Sequence, residues 1–186
     1  DTTSTVIERG RRRNEAEGLA DKIRMVQADA CSTGLPAGEA DFVWGEDAWC
    51  YVADKAALIT EATRLVRPGG TIAFTDWVEG PAGMSEQEAE RFLRFMKFPS
   101  LEDIGGYRRL LEDAGCEVIE ASDTERFGPY IDLYRDMVEK QLTYDALRII
   151  GYDLATMEAM AGEFEFLSQL GHERKAAQGR FVARKK

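Results

Sequence analysis

Histidine is almost missing from this 186-residue chain, which has one His, three Cys and five Pro. The lone His172 has no second His or nearby Cys to complete a metal site, so no metal is expected and a helix-end or surface role is. Cys31, Cys50 and Cys116 are widely spaced, odd in number and without metal-ligand spacing, which excludes a disulfide-framework miniprotein and suits free thiols in a reducing compartment. No secretory or membrane-spanning apolar run stands out, and a cytoplasmic protein is expected. Basic charge is also short. With 24 Lys+Arg against 34 Asp+Glu the formal charge is −10, which argues against a nucleic-acid or anionic-membrane partner. Arg11, Arg12 and Arg13 form the one dense basic run, read as a solvated helix face. Internal repeats, coiled-coil heptads and low-complexity tracts are absent. What remains is long enough to bury the core of one domain.

Strand and helix signals alternate. Glu8 to Gly18 is helix-compatible, with Gly18 as its stop. Ile23 to Gln27 and Asp41 to Trp44 read as short strands, the second leaving through Gly45-Glu46-Asp47. Asp54 can cap a helix with an apolar stripe of Leu58, Ala62 and Leu65, and Arg67-Pro68-Gly69-Gly70 ends it. Thr71 to Thr75 reads as a strand ending at Asp76. Pro81 to Pro99 reads as a helical insertion with Phe92, Phe95 and Met96 facing one way. Ser100, with Asp103 three residues on, reads as a helix start, and Ile104, Tyr107, Leu111 and Ala114 as that helix's inner face. Cys116 to Ala121 resumes as strand. Residues 129 to 170 look mainly helical, with Tyr130, Leu133, Tyr134, Met137 and Val138 on one side, followed by Leu147, Ile150, Leu154, Met157 and Met160. Arg180 to Ala183 closes the chain as a last strand. The alternation predicts an α/β fold with a parallel sheet covered on both faces.

In such a sheet, ligands bind beyond the carboxyl ends of the strands, where loops diverge. Asp29, the Trp44 to Tyr51 loop and Asp76 to Val78 surround one such crevice. A carboxylate there can accept from an amino group or from ribose hydroxyls, while neighbouring N–H groups serve ring nitrogens. Each Asp taken alone is also what a cap or turn would use; their repeated placement at strand ends favours the functional reading.

The run Ile23 to Asp76, with Ala28-Asp29-Ala30, Phe42-Val43-Trp44, Glu61-Ala62-Thr63-Arg64-Leu65-Val66-Arg67-Pro68-Gly69-Gly70 and Phe74-Thr75-Asp76, resembles class I S-adenosylmethionine-dependent methyltransferases. It is most similar to small-molecule enzymes of the sarcosine/dimethylglycine and phosphoethanolamine type. The resemblance implies a Rossmann-like sheet with helical insertions before the final strand. The core would be 1–128 and 179–186, and a mainly helical insertion at 129–178 would cover the substrate side. It implies S-adenosyl-L-methionine as cofactor and a small-molecule acceptor, with a lean to nitrogen in an amine or amino acid. Oxygen or carbon acceptors and homo-oligomerisation stay open.

Carried over residue by residue, the resemblance makes Asp29 the adenine-amino contact with Ala30 beside it, Asp1 the ribose-binding acid, and Trp44, Gly45 and Glu46 the lining of the cofactor pocket. Asp47 would sit where the methionine end meets the acceptor. The relatives carry a His four positions after this Asp, where this chain has Tyr51. Asp47 and Tyr51 are therefore the catalytic candidates. Trp49, Trp77, Tyr130 and Tyr134 are candidate acceptor contacts, through cation–π attraction to a methylated ammonium, although aromatics at such positions also serve as core packing. The chain opens at Asp1 without the Gly-rich cofactor loop, so an N-terminally incomplete domain is expected. A nicotinamide enzyme finds no Gly-x-Gly-x-x-Gly here, and paired carboxylates for hydrolysis rest on spacing alone. The competing non-enzymatic reading is a methyltransferase-like scaffold acting through partners.

Overall fold

The computed structural model describes residues 1–140 and 153–186. Strands β1 (Ala40–Glu46), β2 (Val66–Glu79), β3 (Cys116–Asp123) and β4 (Ala176–Lys185) form one sheet in the order β1-β2-β4-β3. β1 is parallel to β2, and β4 is antiparallel to both β2 and β3. The sheet is thus mixed rather than all parallel. The reason lies between β3 and β4, where α5 (Phe127–Lys140) and α6 (Leu154–His172) intervene. These helices run antiparallel, with Gly128 against Gly171, Asp132 bonded to Ser168 and Arg135 paired with Glu165. A single crossover helix would bring the chain back to the end where β3 began and give a parallel strand. Because α5 and α6 run antiparallel, the chain re-enters the sheet at the end where β3 left it, and β4 runs antiparallel between β2 and β3.

One sheet face is packed by α2 (Lys55–Leu65) and α4 (Ile104–Asp113). Ile72, Phe74, Asp76 and Val78 alternate onto that face, as the two-residue period of a strand requires. Phe74 is its centre: its ring lies 3.9 Å from Trp49, 4.6 Å from Phe181 and 5.1 Å from Tyr107. The opposite face is not covered throughout, since Phe42 and Trp44 on β1 are 49% and 62% exposed. A second cluster, including Phe92, Phe98, Phe127 and Leu170, joins α3 (Glu86–Met96), α5 and α6.

Several boundaries follow the sequence signals. α1 (Ser4–Ala16) ends just before Gly18, whose φ of 68° is the left-handed stop. Asp54 accepts the Ala57 N–H at 2.8 Å and starts α2, and the Ser85–Glu88 capping box starts α3. Others differ. Ile23 to Gln27 is not a strand; the Ile23 N–H turns back to Leu19 O, Met25 O accepts from Arg11, and Asp1 accepts the Ala28 N–H at 3.0 Å and donates to Val26 O at 3.3 Å. Among the described residues no ladder extends these contacts. The helix after residue 100 is capped by Asp103, not Ser100, because Glu102 O accepts the Glu79 N–H and draws that stretch alongside the end of β2. The final strand begins at Ala176, before Arg180. On α5 the buried side is Phe127 and Ile131, while Tyr130, Leu133 and Tyr134 face outward at 41%, 52% and 56% exposure. An i, i+4 pair thus seats this helix on the second cluster, and Tyr130, Leu133 and Tyr134 of the other stripe stay exposed. Leu147 and Ile150 lie outside the described residues.

Replacing Phe74 with Ala should cost about 3–5 kcal/mol, because its three aromatic neighbours cannot all collapse into the space. Urea denaturation would show this as a lower midpoint with an unchanged slope.

Candidate functional site

Asp47 follows the last residue of β1 with φ of 47°, a left-handed conformation uncommon outside glycine but tolerated by Asp. Its N–H donates to Thr75 O at 2.9 Å, which ties the turn to β2. Its two carboxylate oxygens accept from Gln178 Nε2 at 2.9 and 2.7 Å, and Gln178 Oε1 in turn accepts from Thr124 Oγ1 at 2.9 Å. A polar relay therefore crosses the carboxyl end of the sheet from β1 through β4 to the end of β3. Gly45, just before, has no room for a side chain, since a Cβ there would collide with the Trp49 indole.

Beneath this rim lies a buried charged cluster. Asp76 is wholly buried and accepts from Cys50 N at 2.9 Å and from the Tyr107 hydroxyl at 2.6 Å. Burial raises its pKa, opposed by those two residues' hydrogen bonds. Lys55, 4% exposed, donates its ammonium to the Cys50 and Val52 carbonyls, and burial lowers its pKa. Burial also pushes up the Cys50 thiol and the Tyr107 phenol, leaving both neutral. Asp76 thus faces inward, below the crevice rather than into it.

The other expected contacts fall into two groups. Asp1 and the Asp29-Ala30 turn are brought side by side by the Asp1 backbone bridge, and Asp1 Oδ1 accepts the Thr3 N–H at 2.7 Å at the start of α1. The loop after Asp29 is anchored by Glu61 on α2, whose Oε1 accepts from Thr33 N at 2.9 Å and Thr33 Oγ1 at 2.5 Å, with Arg64 bridging to Leu35 O at 2.8 Å. Hydrogen bonds from Arg64 and then Thr33 pull the Glu61 carboxyl down to about 2. Among the aromatics, Trp49 is a core ring stacked on Phe74, whereas Tyr51 is 59% exposed with its edge toward Phe98 at 5.0 Å. Trp77 is half-buried against Phe127, and Tyr130 and Tyr134 are exposed on α5. A cavity of about 360 Å³ opens past β3 between α5 and α6, lined by Asp123, Phe127, His172 and Arg174. Glu46, Asp47 and Tyr51 do not line it; they stand on the open rim nearer β1.

The Methyltransferase domain family profile matches residues 1–74. Sarcosine/dimethylglycine N-methyltransferase of Aphanothece halophytica is 29% identical over 145 residues, covering 76% of this chain and 50% of that protein. The 27-O-demethylrifamycin SV methyltransferase of Amycolatopsis mediterranei is 30% identical over 124 residues, covering 65% and 45%. A Galdieria sulphuraria crystal structure assigned as a sarcosine dimethylglycine methyltransferase superposes on 100% of this chain and 68% of its own, with a TM-score of 0.86 at 20% identity. The fold is that of a class I S-adenosylmethionine-dependent methyltransferase. In sequence the chain is similar to sarcosine/dimethylglycine and phosphoethanolamine N-methyltransferases, and it spans about half the length, or less, of the curated relatives it matches.

The donor set of this methyltransferase fold suits the adenosine end of S-adenosylmethionine. Asp29 Oδ1 accepts the Cys31 N–H at 2.8 Å and the Cys31 thiol lies against the same carboxylate, which keeps acceptor capacity to spare, while the Ala30 N–H has no protein partner among the described residues. They offer one acceptor for an amino group and one donor for a ring nitrogen. Thr75 Oγ1, buried near the same rim, is also without a partner among the described residues. Sequence reasoning missed Gln178, Thr124, Lys55 and Tyr107. Only Lys55 carried a signal: a lysine as the first residue of a helix opposes the helix dipole, which favours acids there.

Glu61→Gln should lower the melting temperature at pH 7, since the depressed carboxyl contributes stability that is fully present above its unfolded value near 4.5 and is lost as pH falls toward about 2. Thermal melts of both proteins from pH 7 to pH 2 should therefore converge at the acid end.

Proposed function

We propose that this chain transfers a methyl group from S-adenosylmethionine to a small-molecule acceptor, an amine nitrogen first among the candidates. The observation that carries the proposal is Asp47. It is a carboxylate at the carboxyl end of β1, in a left-handed backbone conformation, with its side chain set by Gln178. Strain of this kind is retained where the surroundings over-determine it, and here a β2 carbonyl and a β4 amide both do.

When bound, the cofactor supplies an electrophilic methyl on a sulfonium, so the protein needs only to orient an unprotonated nucleophile and keep water out. Asp29 and Ala30 would hold the adenine, Asp1 the ribose, and Trp44, Gly45 and Glu46 the wall of the cofactor pocket. Asp47 keeps unused lone pairs, since each oxygen takes one Gln178 bond, and would orient an acceptor or cofactor amine. Partial burial raises the Tyr51 pKa, keeping its phenol neutral, and it would serve as a hydrogen-bonding and aromatic contact. Tyr51, Trp77, Tyr130 and Tyr134 would pack a cationic acceptor. Trp49 would act from behind, as the floor under Gly45. The relation to the sarcosine/dimethylglycine enzymes supports an amine acceptor, and Tyr51 in place of the relatives' His points to an acceptor different from theirs.

Calorimetric titration of the 186-residue chain with S-adenosylhomocysteine should give stoichiometric micromolar binding, abolished or strongly weakened in Asp29→Ala; absence of binding would sink the cofactor reading. With an accepted amine, Asp47→Asn should lower kcat/KM by about 10–100-fold, the loss of one charged hydrogen-bonding group. Unchanged efficiency would remove Asp47 from the reaction.

A further inference from the structure

We propose that Lys55 and Asp76 are positioning residues that together hold the 47–52 segment in its site-forming conformation, a role that rests on the methyl-transfer reading above. The segment is gripped through its peptide groups from two sides. Asp76 accepts the Cys50 N–H at 2.9 Å, and Lys55 donates to the carbonyls of Cys50 and Val52. Neither grip is interchangeable with the other, because a carboxylate accepts only and an ammonium donates only. Tyr107 reaches from α4 to fix the second Asp76 oxygen at 2.6 Å, and the Cys50 thiol donates to Asp47 O at 3.6 Å. The acid therefore connects β2 and α4 to the turn, and the base connects the first residue of α2 to it.

Packing alone does not call for such a cluster. The cluster lies between two apolar cores, one holding Trp49 and Phe74 and the other Cys50, with Glu102 the further charge acting on Lys55, and a buried acid and base are commonly no more stable than apolar replacements of like volume. What apolar side chains cannot do is choose one arrangement of the 50–52 peptides. That arrangement sets Asp47 immediately before them, and Tyr51 within them, on the rim.

Amide hydrogen exchange on the full chain tests this, using Lys55→Met and, as the mildest change, Tyr107→Phe, which keeps the ring against Phe74. Exchange at residues 47–52, taken as a ratio to the β2–β4 ladder amides, should rise by about tenfold in Lys55→Met and less in Tyr107→Phe, the scale of one lost buried hydrogen bond or charge contact. Affinity for S-adenosylhomocysteine should fall in the same order. A ratio that stays constant while all amides speed up together means that the cluster only stabilises the fold, and overturns the proposal. A selective rise with unchanged affinity overturns it as well. The exchange arm needs no ligand, so failure of the wild-type chain to bind would count against the cofactor reading while exchange still decides whether the segment is held.

Discussion

A carboxylate with no exposure to water must be given donors by the protein, and much of this structure is arranged around meeting that demand for Asp76. β2 continues past Thr75, so Asp76 is carried inward on the same face as Ile72, Phe74 and Val78 rather than ending the strand at the surface. Its two donors come from different elements, the Cys50 N–H in the short helical turn Trp49–Tyr51 and the Tyr107 hydroxyl in α4. Losing either would leave a buried carboxyl oxygen short of a partner, a cost above the net value of the bond itself. The helix that covers the sheet and the turn that forms the rim are therefore coupled through one side chain.

The aromatic core adds to that coupling instead of competing with it. Tyr107 uses its ring against Phe74 and Phe181 and its hydroxyl on Asp76, so one residue satisfies both the apolar and the polar half of the interior. Trp49 likewise packs on Phe74 while filling the space that Gly45 leaves open. A larger residue at 45 would push the indole away and disturb the Trp49–Tyr51 turn from the apolar side.

Local, period-based features were legible in the sequence. The α2 stripe, the Asp54 cap, the Gly18 stop and Asp47 just past β1 stand where propensity and patterning put them, since each depends on neighbours within a turn or two, whereas Asp29 follows no strand and Asp76 lies inside β2. Non-local features were not. The direction of β4 depends on two helices stacking against each other, the failure of Ile23 to Gln27 as a strand depends on what lies beside it, and the helix start at Asp103 depends on Glu102 meeting Glu79. The same divide runs through the site. Asp47 and Asp29 could be picked out by their place after a strand or in a turn, but Gln178 is 131 residues from Asp47 in sequence and only the register of β4 on β2 brings them together.

The Asp47–Gln178–Thr124 relay also narrows what Asp47 can do chemically. A general base works best when free to meet the proton it removes, whereas each Asp47 oxygen already accepts one bond from the Gln178 amide, which fixes the direction of the carboxylate and leaves its remaining lone pairs as acceptors. Such a carboxylate is fixed in direction and remains an acceptor, which suits the orientation of an ammonium or amine more than repeated proton uptake. Methyl transfer to an amine that arrives unprotonated requires orientation and not a strong base, so the geometry of this residue and the reaction proposed for it make the same demand. An acceptor whose nucleophile must be deprotonated on the enzyme, such as an unactivated hydroxyl, would need a base that this relay does not provide.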